Sequence, residues 1–168
     1  ARKFFRPVKT NGKYRVVTSS KREAEHFTDY GKYSPSNLYI CGLPKFDRSV
    51  MDEDADKIVI MITWRPWEFN QIRFDFKNTK YYQMICRIFD VIPGNLKEKV
   101  IILPHPLFFH AIKNLDFELK EYMKCEIKYD DILKKTKVMI TDYSSISYDA
   151  FYRGANVIFY WEEKDECL

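Results

Sequence analysis

The sequence predicts an α/β fold: a parallel sheet with helices on both faces, making three layers. Two observations lead there. Short apolar, β-branched runs recur at 57–64 (KIVIMITW), 100–103 (VIIL), 138–140 (VMI) and 156–161 (NVIFYW), with helix-like stretches between them. Strands alternating with helices need crossover connections, which lay the helices over parallel strands. Polar residues also follow the apolar runs at once: Thr63 and Arg65 after the first, His105 after the second, Thr141 to Ser145 after the third. In a parallel sheet these positions all fall at carboxyl ends, where such folds bind ligands.

Taken in order, Tyr14–Thr18 reads as a first strand. Ser19-Ser20 precede a helix over Lys21–Phe27, with Glu23 three residues past Ser20 as a capping box requires. Asn37–Cys41 is a second strand and runs into the turn Gly42-Leu43-Pro44. The acidic stretch Asp47–Asp56 lacks periodicity and reads as a loop or surface helix. Lys57–Trp64 is the central strand, ended by Pro66, and Trp67–Asn78 reads as a long loop over its end. Lys80–Val91 carries Tyr81, Met84, Ile85, Ile88 and Phe89 at helical spacing. Val100–Leu103 is a strand, Leu107–Leu115 a helix, Cys125–Tyr129 a short strand and Asp130–Lys135 a short helix capped by Asp130. Lys137–Tyr152 then runs from strand through a polar turn into a helix, with Ser144 and Ser145 at the cap. Asn156–Trp161 closes the series.

At 168 residues the chain fits one domain, read as 14–168 behind a basic segment 1–13. With 46% hydrophobic and 31% charged residues it is globular rather than disordered. No apolar run reaches membrane-spanning length and the first residues lack the apolar core of a signal peptide, so a cytoplasmic protein is expected. The ends suggest a piece of a longer protein. Cys41, Cys86, Cys125 and Cys167 are scattered without a CxxC pair, which argues for reduced thiols. Every charged residue from Arg2 to Arg22 is basic, so this segment reads either as a solvated linker or as a surface for anionic membrane or another polyanion. Nucleic acid is not expected as a partner.

The candidate site residues suit phosphate. Arg65 offers a planar fork of donors. His105, between two prolines, sits on a stiff loop and can donate to phosphate or carry a proton near neutral pH. Ser144 and Ser145 add hydroxyls, and the start of the following helix adds unpaired amides. Asp149 either reaches back towards the ligand or pairs with Arg153 four residues on. Asp142 reads as a turn residue or as a support behind the residues that meet the ligand, and His26 and His110 as surface positions. Trp64, Trp67 or Phe69 is a candidate to cover a nucleotide base. No carboxylate cluster marks a metal site, and no cofactor is expected; a Mg²⁺ bridging the substrate is compatible with the sequence.

Five motifs carry a resemblance: GLPKFD (Gly42–Asp47), TWR (Thr63–Arg65), PHP (Pro104–Pro106), TDYSSISYD (Thr141–Asp149) and VIFY (Val157–Tyr160). In order and rough spacing, from about Val16 to Trp161, they resemble the CDP-glycerol glycerophosphotransferases, the teichoic acid primases and polymerases of bacterial cell walls. The sequence departs from that pattern at Ile62, where proline is usual, and at Lys45-Phe46, where arginine and a polar residue are usual.

The resemblance implies the Rossmann-like, C-terminal nucleotide-binding half of a GT-B enzyme, with the N-terminal half missing from this chain. It implies that Thr63, Arg65, His105, Thr141, Ser144 and Ser145 hold the diphosphate of a CDP-linked polyol. Asp149, together with Gly42, Pro44 and Asp47 of the GLPKFD loop, would shape the donor pocket. An acceptor hydroxyl, on a lipid-linked or polymeric acceptor, would attack the β-phosphorus and release CMP. His105 would be the residue that helps CMP leave, and the general base would belong to the missing half. This fragment alone would be inactive or nearly so, and its enzyme would work at the inner face of the cell membrane. Two other readings stand beside this one: a GT-B half taking another donor such as a UDP-sugar, and a non-catalytic module docking a polyanion or membrane through residues 1–15.

Overall fold

The computed structural model describes residues 14–162. They divide in sequence into two compact units, with the boundary between Arg48 and Ser49. The basic residues Arg2 to Lys13 and the terminal Cys167 lie outside the described residues.

In the first unit, β1 (Val16–Thr18) pairs in parallel with β2 (Leu38–Ile40), and α1 (Lys21–Asp29) connects them. The capping residues do what their spacing predicts. Ser20 Oγ accepts from the Glu23 N–H at 3.2 Å, while the Glu23 carboxylate accepts from the Ser19 N–H at 2.6 Å. The return bond therefore reaches one residue beyond the cap itself. Gly42 follows β2 at φ 78°, a left-handed conformation that glycine adopts without penalty. A 3₁₀ turn then covers Pro44–Arg48 and contains Asp47.

The second unit holds a four-stranded parallel sheet of β3 (Lys57–Met61), β4 (Val100–Ile102), β5 (Thr136–Thr141) and β6 (Asn156–Phe159), in the order β4-β3-β5-β6. Ile60 registers with Ile102 on one side and with Ile140 on the other. Successive residues of β3 face opposite layers, as a strand requires. Ile58, Ile60 and Ile62 enter a cluster with Ile72 of α2 (Phe69–Asp75), Tyr81, Met84, Ile85 and Ile88 of α3 (Lys80–Asp90), and Phe108 and Ile112 of α4 (Pro106–Ile112). Val59 enters the opposite cluster with Met139, with Leu133 of α5 (Tyr129–Lys135) and with Ala150 of α6 (Ile146–Tyr152). This is the three-layer α/β arrangement expected, and it fixes where the site lies. The connection after β3 leaves over one face and the connection after β5 over the other, so a crevice opens between their carboxyl ends.

Three elements differ from expectation. Residues 67–78 are not a long loop but a 3₁₀ turn, α2 and a second 3₁₀ turn, because Ile72 and Phe76 are four apart and both buried. Cys125–Tyr129 forms no strand; Met123 makes an isolated bridge to Ile102, and Glu126 at φ 60° turns the chain out of extended geometry. Asp130 does not cap α5: its carboxylate pairs with Lys134 and Arg153 instead.

Candidate active site

The carboxyl end of β3 carries Thr63, Trp64 and Arg65. Pro66, at the start of a 3₁₀ turn, lifts the chain off the sheet there. Arg65 is 3% exposed and Asp142, one residue past β5, is 1% exposed. Arg65 Nη1 donates to the Thr63 carbonyl and lies 2.8 Å from Asp142 Oδ2. Asp142 Oδ1 accepts from the Thr63 N–H at 2.8 Å and the Tyr143 N–H at 2.6 Å. The Asp142 carbonyl accepts from Trp161 Nε1 at 3.0 Å, and Thr141 Oγ1 donates to the Met61 carbonyl at 2.6 Å. Asp142 thus has the supporting place that was one of its two expected roles. Its carboxylate bridges the β3 and β5 ends, and its carbonyl holds the indole that follows β6.

The guanidinium of Arg65 is accordingly turned into protein and braces the crevice from beneath. The expectation had it facing the ligand; burial beside a carboxylate gives it a different immediate partner. Thr63 Oγ1, also buried, has no hydrogen-bond partner among the described residues.

His105 follows β4. Its backbone N–H donates to the hydroxyl of the fully buried Tyr81 at 3.0 Å. Its Nδ1 accepts from the Leu107 N–H at 3.2 Å, so the imidazole itself caps α4, with Pro106 in the first turn. Trp64 lies over the imidazole, with ring centroids 4.9 Å apart and planes 15° from parallel. Burial pushes the imidazole below its usual pKa, and burial likewise pushes the Tyr81 hydroxyl up, so Tyr81 stays neutral.

Ser144 and Ser145 follow Asp142. Serine capping was expected, yet Ser145 sits in helical conformation and makes no side-chain cap bond. Their carbonyls accept from the Ser147 and Tyr148 N–H groups at 3.2 Å, while neither hydroxyl has a hydrogen bond among the described residues. Ser144 is half-buried and Ser145 exposed. Asp149, half-buried, lies one turn on in α6. The Arg153 guanidinium reaches Asp130 and the Val50 carbonyl. Of the residues expected at the site, Thr63, Arg65, His105, Thr141, Ser144 and Ser145 therefore lie at three adjacent strand ends. Gly42, Pro44 and Asp47 belong to the first unit. Beside the His105 loop a pocket of about 170 Å³ is lined by Leu103, Pro104, Pro106 and Tyr129 and by the segment 124–127, which includes Lys124 and Glu126.

The sequence reading passed over one contributor. Glu68, 6% exposed, accepts from the Lys80 N–H at 2.8 Å and the Tyr81 N–H at 3.0 Å, which anchors the start of the helix that carries Tyr81. Trp64 covers a histidine rather than standing open for a base, whereas Trp67 is 71% exposed. An acid just after the TWRP turn, twelve residues before a helix start, was the available signal for Glu68.

The profile of the CDP-Glycerol:Poly(glycerophosphate) glycerophosphotransferases matches residues 6–166. The chain belongs to that family. It is 27% identical, over 168 aligned residues, to the minor teichoic acid biosynthesis protein GgaB of Bacillus subtilis (strain 168), covering 89% of this chain and 18% of GgaB. Solved structures of the wall teichoic acid polymerase TagF have the same fold. One variant superposes with a TM-score of 0.61 at 18% identity, covering 91% of this chain and 40% of TagF. A second, soaked with CDPG, gives 0.60 at 17% identity over the same shares. The chain thus spans less than half of TagF and under a fifth of GgaB. These relatives are a teichoic acid biosynthesis protein and a wall teichoic acid polymerase, and no helix among the described residues is long and apolar enough to cross a membrane.

Proposed function

We propose that this chain is the donor-binding half of a CDP-polyol phosphotransferase that passes a polyol phosphate to a teichoic-acid-type polymer and releases CMP. What supports the reading is that His105, Ser144 and Ser145 follow the carboxyl ends of two strands that flank β3, with the buried Arg65–Asp142 pair between β3 and β5, in a member of this family. The imidazole Nε2 and the two serine hydroxyls have no hydrogen bonds among the described residues and are the donors for the diphosphate. Arg65, Thr141 and Asp142 hold those donors in place, with the guanidinium adding positive potential from below. Thr63 and Asp149 line the crevice. The pocket between Pro104 and Tyr129, with Lys124 and Glu126 among its walls, is where this reading puts the pyrimidine ring.

In the reaction the acceptor oxygen bonds to the β-phosphorus, the anhydride bond to CMP breaks, and the acceptor proton goes to a base outside this chain. Catalysis by this half rests on in-line positioning and on donors that meet the growing charge. Any Mg²⁺ would arrive with the diphosphate. The membrane-facing polymer acceptor and the other GT-B half are the partners this reading calls for, and it places the enzyme at the inner membrane face. Calorimetric titration with CDP tests it: wild type binds, and His105→Ala loses the heat. A panel of CDP, UDP, GDP and ADP separates this reading from a UDP-sugar enzyme. Vesicle binding that survives His105→Ala and disappears without residues 1–15 would instead favour the docking module.

A further inference from the structure

We propose that Trp64 is a positioning residue that fixes His105 as a neutral donor through Nε2, with the proton placed there by the Leu107 amide. The inference rests on the donor-binding reading for its purpose, but its geometry stands apart from any ligand. A neutral imidazole carries one N–H. Because Nδ1 accepts from the Leu107 N–H at 3.2 Å, the proton resides on Nε2. Protonating Nδ1 as well would set one N–H against another and break the helix cap. A tryptophan face by itself favours a cation, yet the amide facing Nδ1 and the burial of the ring act the other way.

Two rotations would release this arrangement, and each is blocked. Rotation of the imidazole about its bond to Cβ is opposed by Trp64, stacked at 4.9 Å. Movement of the His105 backbone is opposed by the Tyr81 hydroxyl at 3.0 Å. Trp64 is itself held edge-on by Tyr81 at 5.8 Å and by Phe69 at 6.4 Å, so the plate over His105 has its own support. The stack reaches from the end of β3 to the end of β4, so the same strand end that braces Asp142 also orients the histidine. His105 therefore acts as a hydrogen-bond donor of fixed direction, not as a proton acceptor.

Long-range ¹H–¹⁵N spectra of the imidazoles in the full 168-residue chain test this at mildly alkaline pH, with His105 assigned by His105→Gln. The expected wild-type pattern is a single Nε2–H tautomer for His105. Trp64→Leu should give averaged nitrogen shifts and weaken CDP roughly tenfold, the scale of immobilising one side chain anew. Trp64→Phe, which keeps a ring, should restore both. Averaged tautomers in the wild-type spectrum overturn the proposal whatever the variants do. So does an unchanged His105 pattern in a folded Trp64→Leu protein. A fixed tautomer that responds to Trp64 in a protein that does not bind CDP leaves the positioning role standing and removes only the donor assignment.

Discussion

Replacing Asp142 by asparagine isolates the charge at the crevice, because an amide oxygen can still accept from the Thr63 and Tyr143 N–H groups. What it removes is the carboxylate 2.8 Å from Arg65 Nη1, with both side chains below 4% exposure. Removing one partner of a buried pair leaves the other charge uncompensated and costs about 3–5 kcal/mol. Against a typical total of about 5–15 kcal/mol, that is a large share of the fold's stability. Arg65→Met should lose a similar amount. The double variant should recover most of the loss, because an apolar and a neutral polar side chain no longer strand a charge. Urea unfolding followed by fluorescence of Trp64 and Trp161, which flank the pair, supplies the three differences of a double-mutant cycle. Single variants within about 1 kcal/mol of wild type, or strictly additive losses, would refute the argument that the pair sustains the site.

Four further outcomes follow. Ser144→Ala and Ser145→Ala should weaken CDP in a titration while leaving the urea midpoint within about 0.5 kcal/mol of wild type, since neither hydroxyl has a hydrogen bond among the described residues. Tyr81→Phe strands the His105 N–H and should cost about 1–3 kcal/mol by chemical denaturation. Phe108→Ala, in the core under α4, should cost about 3–5 kcal/mol in the same assay. Burial depresses the His105 pKa, so the unfolded chain takes up the proton first as pH falls. The histidine's share of stability is then complete above its ordinary value of 6.5 and is lost below it, as pH passes through the lower folded value. His105→Gln should flatten that acid limb in a series of melts across pH.

The sheet was legible in the sequence because its strands are short β-branched runs, largely buried in β3 and β4 though exposed in the edge strand β6, and such runs stand out without knowledge of neighbours. The polar residues at the strand ends were legible for the same reason, since topology alone brings them to one edge. The direction of Arg65 was not, because its partner lies 77 positions away in sequence and only the β3–β5 register makes them adjacent. The helix at 69–75 was missed because proline and aromatic residues at 64–69 hide the spacing of Ile72 and Phe76. The strand expected at 125–129 failed on Glu126, whose positive φ no propensity would suggest. Trp64 was legible as an aromatic at a strand end, but not as the cover of His105, because that contact joins two different loops.

The Asp142 carboxylate fastens the exits of β3 and β5 while the backbone carbonyl of the same residue secures the indole beyond β6. Loops clipped together in this way have little independent freedom left to lose. A ligand arriving at one of them finds its neighbours already arranged, so the entropic penalty of association is met during folding rather than at the moment of encounter.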